Sequence, residues 1–351
     1  MIARRAFLRA LPALACAGAA RALPAADIRL PRDHGAHPDF RIEWWYITGH
    51  LAAGAREFGF QVTFFRTRVD AAQALRSRFA AKQLVFAHAA ITDVEGRRLW
   101  HDQRIAREGF DVAGAATGDM SLKLRDWSLA RSPGGAMDAR VAAAGFSFEL
   151  RCTPTQPVLL QGDQGLSRKG PNPAQASYYY SEPQLAVQGT IVLQGRRVPV
   201  AGRGWLDHEW SEELLDPAAA GWDWIGINLD DGGALTAFRL RRPDGTTVWD
   251  GGSLRPRGGP ARIFAPGEAV FTPQRRWTSP SSGATYPVEW AVRTPAGLHT
   301  VRAVLDNQEL DSRASTGAIY WEGLSRLQDG QGRPVGSGYL EMTGYAQRLR
   351  I

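Results

Sequence analysis

Cysteine is nearly absent. The 351-residue chain has two, Cys16 and Cys152, and the first lies in a leader-like segment. Cys152 then stands alone, so no internal disulfide can brace the fold, and it is expected as a buried thiol. Long apolar runs are also missing after the leader, so no segment reads as a membrane-spanning helix. The formal charge of +7 overstates the basic character: residues 1–22 hold four arginines and no acid, and without them it falls to +3. No Lys/Arg-rich stripe remains to neutralise phosphates, which excludes nucleic acid as a partner. There is no Gly-x-Ser-x-Gly elbow, no phosphate loop and no Gly-x-Gly-x-x-Gly opening a helix. The seven histidines are scattered. His34 and His37 are read as preceding the fold, and His88, on a strand face with Phe86 and Ala90, reads as a core histidine. No zinc spacing emerges, and neither metal nor cofactor is expected.

The leader has its own pattern. Arg4-Arg5 is followed by Phe7-Leu8, an apolar run and small residues, with Ala20-Arg21-Ala22 as one cleavage site. Residues 1–26 are read as an export signal of the twin-arginine type, which implies the periplasm, with membrane association as a variant.

Helical periodicity is scarce too; only 71–83, AAQALRSRFAAKQ, reads as one helix or a long loop. Strand signals fill the rest: FGFQVTFFRTR (58–68), LVFAHAAITD (84–93), SLKLRDWSLA (121–130), FSFELRC (146–152), LAVQGTIVL (185–193), ALTAFRLRR (234–242), YPVEWAVRT (286–294) and GYLEMTGYA (338–346). Glu95-Gly96, Asp230-Asp231-Gly232-Gly233 and Asp244-Gly245 mark hairpin turns. A repeat is visible. Aligned without gaps, WWYITGHLAAGAREFGFQV from Trp44 meets WDWIGINLDDGGALTAFRL from Trp222, pairing Ile47 with Ile225, Gly54 with Gly232 and Phe60 with Phe238. LAVQGT (185–190) also echoes LEMTGY (340–345). The chain is therefore read as all-β: two tandem lipocalin-like antiparallel β-barrels, residues 27–216 and 217–351.

Twelve tryptophans are the excess that balances these absences, and several gather with acids near the domain junction. In GWLDHEW (204–210), strand alternation puts Trp205, Asp207 and Glu209 on one face and Leu206, His208 and Trp210 on the other. In GWDW (221–224), Trp222 and Trp224 share a face and Asp223 takes the opposite one. In EWWY (43–46), Glu43 shares a face with Trp45. A carboxyl held among indoles loses solvation and can stay protonated near neutrality, which makes a general acid; aromatic faces can steady a developing cation. Asp207, His208, Asp223 and Glu43 are the candidate catalytic residues, and Trp45, Tyr46, Tyr179, Trp210, Trp222 and Trp224 the candidate ligand contacts. The bland alternative is that the tryptophans plug barrel ends and the acids pair with Arg66, Arg68 or Arg203.

The stretches EWWYITGHL, TFFRTR, LVFAHAAITD, GLSRKG, SYYYSEPQLAVQGT, GWLDHEWS, GWDWIGINLDDG, YWEG and GYLEMTGY resemble, in order and over almost all of the chain after the leader, the AttH and carotenoid 1,2-hydratase family. The resemblance implies two lipocalin-like barrels. It also implies a functional range that includes carotenoid and plant-isoprenoid hydratases, pericyclase-like proteins and secreted hydrolases of unknown substrate. The His-x-Trp pair of the hydratase branch matches His208 and Trp210. Its Tyr-x-Asp has no counterpart on 234–238, so another acid (Asp223, Asp207 or Glu43) would replace it. Two readings follow. One is a hydratase- or hydrolase-like enzyme acting on an isoprenoid- or lipid-like molecule held between the barrels. The other is a non-catalytic periplasmic lipid carrier or chaperone working with a membrane permease of a transport system.

Overall fold

The computed structural model describes residues 22–349. Most of residues 1–26, the expected export signal, lie outside them. Leu23, Ala26 and Ile28 pack against the first barrel's core, and the Pro24 carbonyl accepts a hydrogen bond from the Tyr178 hydroxyl at 3.0 Å. Cleavage after Ala22 would keep these contacts; a boundary at residue 26 would remove several of them.

Strands dominate the described residues. Helix is limited to a 3-10 turn at Arg32–His34 and one α-turn at Asp70–Gln73, so the 71–83 segment is mostly loop. Every strand pair is antiparallel. The first sheet is built from strands between Ile42 and Glu213, the second from strands between Gly221 and Met342. In the first, Gln83–Asp93 comes back against Ala113–Ala115 and Ser121–Leu124, which nearly closes the sheet into a barrel. Inward residues supply its core: Trp45, Ile47, Phe60, Val62, Leu122, Leu150 and Leu206 are almost wholly buried. Cys152 is in the same core, where burial pushes its thiol up to about 12 and leaves it inert. The second sheet encloses a core around Ile225, Trp290, Val301, Trp321 and Leu340.

The repeat corresponds to hairpins. Ile42–Ala53 turns into Arg56–Arg68, and Gly221–Leu229 into Ala234–Arg241. Gly54 and Gly232 take positive φ in the two turns, at 61° and 92°, a conformation that glycine adopts without a Cβ clash. The closing echo is displaced. GYLEM lies in Pro334–Met342 and pairs with Gly221–Leu229, but the strand that pairs with Ile42–Ala53 is Arg196–Glu213, carrying GWLDHEW; LAVQGT lies one strand further out. The 121–130 segment also divides, into Ser121–Leu124 and Trp127–Arg131, around a left-handed turn at Arg125.

The barrels meet along Ile42–Ala53, Arg196–Glu213, Gly221–Leu229 and Pro334–Met342, whose middle residues are buried on both faces. Tyr46, Trp205, Trp224, Phe238, Leu324 and Tyr339 form a separate apolar cluster there. Buried polar bonds fix the docking: Asn228 donates to the Gly204 carbonyl (2.9 Å), the Gln184 backbone donates to Asn228 (2.7 Å), and Thr92 donates to Gln308 (2.7 Å). The approach is close. A Cβ added at Gly59 would stand 2.7 Å from the Tyr339 hydroxyl and 2.9 Å from Leu324 Cβ. Gly59→Val should therefore cost about 1–3 kcal/mol through overpacking, read as a lower urea midpoint. An unchanged midpoint would mean that the barrels do not press together here.

Candidate functional site

A cavity of about 430 Å³ opens between the barrels, within the usual range for small-molecule sites. Trp44, Tyr46, Phe65, Phe86, Trp222, Trp224, Phe238 and Leu240 supply an aromatic and aliphatic wall, and Asp207, Glu209, Glu322, Glu341, Lys169, Tyr179 and His88 interrupt it. Period-two alternation explains the selection. On Arg196–Glu213, Asp207 and Glu209 face the cavity, while Leu206, His208 and Trp210 face the first barrel's core.

The Asp207 carboxyl is buried and fully engaged. Ser181 and Trp205 donate to Oδ1 at 2.5 and 2.8 Å, and Tyr179 donates to Oδ2 at 2.8 Å. Burial nevertheless pushes it up to about 7, against the pull of those three donors. Glu209 pairs with Lys169 at 2.9 Å and accepts from Ser177. On the second barrel, Glu322 and Glu341 stand directly opposite each other across adjacent strands, with Cβ atoms about 5 Å apart in such pairs. Burial lifts Glu341 to about 7, with Trp222 opposing the shift and the charges of Asp207 and Glu209 adding to it. Burial also lifts Glu322 well above the carboxylate range, and Glu341 adds to the rise. Two carboxyls this close, away from water, do not both ionise at neutral pH. His88, also in the wall, bonds to the Tyr320 hydroxyl through Nδ1 (2.8 Å) and to Ser315 Oγ through Nε2 (2.9 Å). Burial drops it to about 3, so it is neutral, a satisfied histidine as its strand face suggested.

The predicted site residues fall into three compartments. Asp207, Tyr46, Tyr179, Trp222 and Trp224 line the cavity, and Glu43 borders it. His208, Trp45 and Trp210 lie behind the sheet, with the Glu43 carboxylate, at the end of the first barrel. There Glu43 Oε1 receives His37 Nδ1 (2.7 Å) and His208 Nε2 (2.9 Å), and Oε2 receives Arg66 Nε (2.9 Å). Burial alone would raise Glu43, but the bonds from His208 and His37 dominate and hold it at about 2. With Nε2–H directed at Glu43, His208 Nδ1 accepts from Tyr180 (3.1 Å), whose oxygen also meets His34 Nδ1 at 2.7 Å. His37 stacks on Trp210 with ring centroids 3.8 Å apart, and Trp45 stacks on His208 at 4.6 Å. His34 and His37 are thus parts of the fold, not a tail before it. Asp223 faces the second barrel's interior, where Arg239 (2.8 Å) and Tyr345 (2.8 Å) hold it. Of the four predicted acids and bases, Asp207 and Glu43 border the cavity, whereas His208 and Asp223 do not, because alternation sends neighbours to opposite faces.

His37, Glu43 and His208 bring three ligand-type atoms within 4.8 Å of one another, a grouping that the sequence spacing did not suggest. The atoms already satisfy each other as donors and acceptor, and the Arg66 guanidinium puts a positive charge against the same carboxylate. The donor set fits a hydrogen-bonded ion network and does not fit a cation.

Sequence reasoning missed Lys169, Glu322 and Glu341 as site residues. Each sat in a stretch that carries the family resemblance. The available signal was a single acid alternating with aromatics, Tyr320-x-Glu322 and Tyr339-x-Glu341.

The AttH-like family model matches residues 21–345. A crystal structure of an AttH from Nitrosomonas europaea is 48% identical and covers 92% of this chain and 99% of its own, with a TM-score of 0.86. Kievitone hydratase from Nectria haematococca shares the fold at 13% identity, covering 91% of this chain and 93% of that one with a TM-score of 0.68. CghA does so at 14%, covering 87% and 88%, with a TM-score of 0.52. No curated protein sequence matches the chain. The match over nearly the whole described length places this chain in the AttH-like family.

Proposed function

We propose that the cavity between the barrels binds an apolar, unsaturated small molecule and that Glu341 and Asp207 add water to it. The observation that carries this reading is the placing of two buried carboxyls, one from each barrel, in the wall of one aromatic-lined cavity, where burial lifts both to about 7. Glu341, kept protonated by burial and by its acidic neighbours, gives its proton to an alkene carbon. The π electrons form the new C–H bond and leave a cation on the adjacent carbon, which the faces of Trp222, Trp224 and Tyr46 stabilise. A water oxygen closes on that cation, and its proton passes to Asp207, whose three donors favour the carboxylate. Alkene plus water gives alcohol, and the two carboxyls end with the same number of protons as they began. The resemblance to kievitone hydratase in fold agrees with such chemistry. The leader favours a periplasmic site of action, with a permease as the partner if the cargo is only carried.

The neutral fluorophore N-phenyl-1-naphthylamine should bind the purified protein and be displaced by its native ligand. That ligand, extracted and weighed by mass spectrometry, should leave Asp207→Asn unchanged and leave the wild type heavier by one water. Identical masses from both proteins would support the carrier reading instead, and absence of fluorophore binding would remove the cavity as a ligand site.

A further inference from the structure

Two polar atoms in the cavity wall have no partner. The Tyr46 hydroxyl and Glu322 Oε1 are each buried without a hydrogen bond, in side chains only 6% and 3% exposed. They come from different barrels, Tyr46 from Ile42–Ala53 and Glu322 from Ala318–Gln328, yet they line the same cavity; Tyr46 and Tyr320 both approach the Glu322 carboxyl, but neither contact with Glu322 Oε1 reaches hydrogen-bond geometry. Leaving such groups unpaired is costly, and a native fold retains that cost where something else satisfies the groups. Both are donors at neutral pH. Burial lifts Tyr46 well above the usual phenol range, and the charges of Glu322 and Glu341 add to this. Glu322 likewise keeps its proton. Around them the wall is apolar: Trp224 sits edge-on to Tyr46 with ring centroids 5.5 Å apart.

We propose that Tyr46 and Glu322 form a two-donor clamp for a carbonyl oxygen, so that the ligand of this cavity is an apolar ketone or enone. A carbonyl oxygen carries two lone pairs in one plane and can accept from both donors at once. A hydrocarbon of the same shape would leave both donors unpaired, the situation in which polar sites discriminate most strongly. The clamp deepens the reading of the cavity as a ligand site and rests on it. It also gives that reading an orientation: the oxygen sits between Tyr46 and Glu322, and the carbon skeleton lies along Trp222, Trp224 and Phe238.

The test compares 2-acetylnaphthalene with 2-ethylnaphthalene, by quenching of tryptophan fluorescence, and follows the carbonyl stretch of the ¹³C-labelled ketone by infrared difference spectroscopy. The wild type is expected to bind the ketone roughly tenfold or more tighter than the hydrocarbon, as one or two net hydrogen bonds provide, with the stretch shifted to lower frequency. Tyr46→Phe should lose most of that preference while binding the hydrocarbon as before, and the stretch should move part of the way back. Glu322→Gln keeps a donor and should retain the preference; Glu322→Met should lose it. A melting temperature for each variant separates a folding defect from a lost contact. Equal binding of the two probes to the wild type, with the carbonyl stretch where it lies in hexane, overturns the clamp and leaves the cavity as a ligand site. Failure of both probes to bind overturns the clamp and the cavity reading together.

Discussion

Replacing Arg66 by leucine should cost about 3–5 kcal/mol of folding stability, the usual penalty for stranding a buried charge. The Arg66 guanidinium is almost inaccessible to water. It donates to Glu43 Oε2 (2.9 Å), Gln83 Oε1 (2.7 Å) and the backbone carbonyls of His37 (2.9 Å) and Phe40 (2.8 Å). Its loss leaves the Glu43 carboxylate with only the two imidazoles as side-chain partners and frees the 37–40 segment that closes the barrel end. Adding Glu43→Leu to Arg66→Leu should recover part of the loss, because the stranded charge is then gone. Urea melts of the single and double variants decide it. A single-variant loss under about 1 kcal/mol would show that the network is solvated and not structural.

Asp207→Asn should reduce turnover of the extracted ligand at least tenfold, toward the ~10²–10⁴ that general acid–base groups typically contribute. The same substitution should make the protein more stable above neutrality. Asp207 rises on folding from 3.8 to about 7, so the folded state holds its proton more tightly than the unfolded chain does. Its contribution is therefore most favourable below about pH 4, declines as the pH climbs toward 7, and stays unfavourable above that. The full span corresponds to about 4 kcal/mol, less whatever the amide loses in bonds from Ser181, Tyr179 and Trp205. Glu341 and Glu322 slope the wild-type curve in the same direction, so the informative quantity is the difference between variant and wild type across pH 4–8. A stabilised, inactive variant marks a carboxyl kept for chemistry against the interest of folding. A destabilised variant at pH 8 would mean that its three donors outweigh the cost of burying the charge and that Asp207 is structural.

Much of this organisation was legible in one dimension. Period-two alternation correctly separated Asp207 from His208 and Trp222 from Asp223, and the matched turns at Gly54 and Gly232 disclosed the duplicated hairpins. What alternation cannot reveal is the space that a given face looks into. Glu43 and Asp223 sit beside tryptophans just as Asp207 does, yet each carboxylate is held in a buried ion pair, Glu43 by Arg66 at the cavity's border and Asp223 by Arg239 in the second barrel. The Glu322–Glu341 pair escaped because it depends on registering two strands of the second sheet against each other. His34 and His37 escaped because a short segment folds back over the barrel end through long-range bonds to Tyr180 and Glu43. The displaced closing echo shows the same limit: local similarity of LAVQGT and LEMTGY carried no information about which strand lies beside Ile42–Ala53.

Arg196–Glu213 is a partition with different furniture in the two rooms it divides. Sliding it by one residue, for instance by deleting Val200, would turn the imidazole of His208 toward the small-molecule chamber and drive the Asp207 carboxyl into the greasy interior next door. Evolution can therefore revise either room by point substitution, but an insertion or deletion in this strand rewrites both at once.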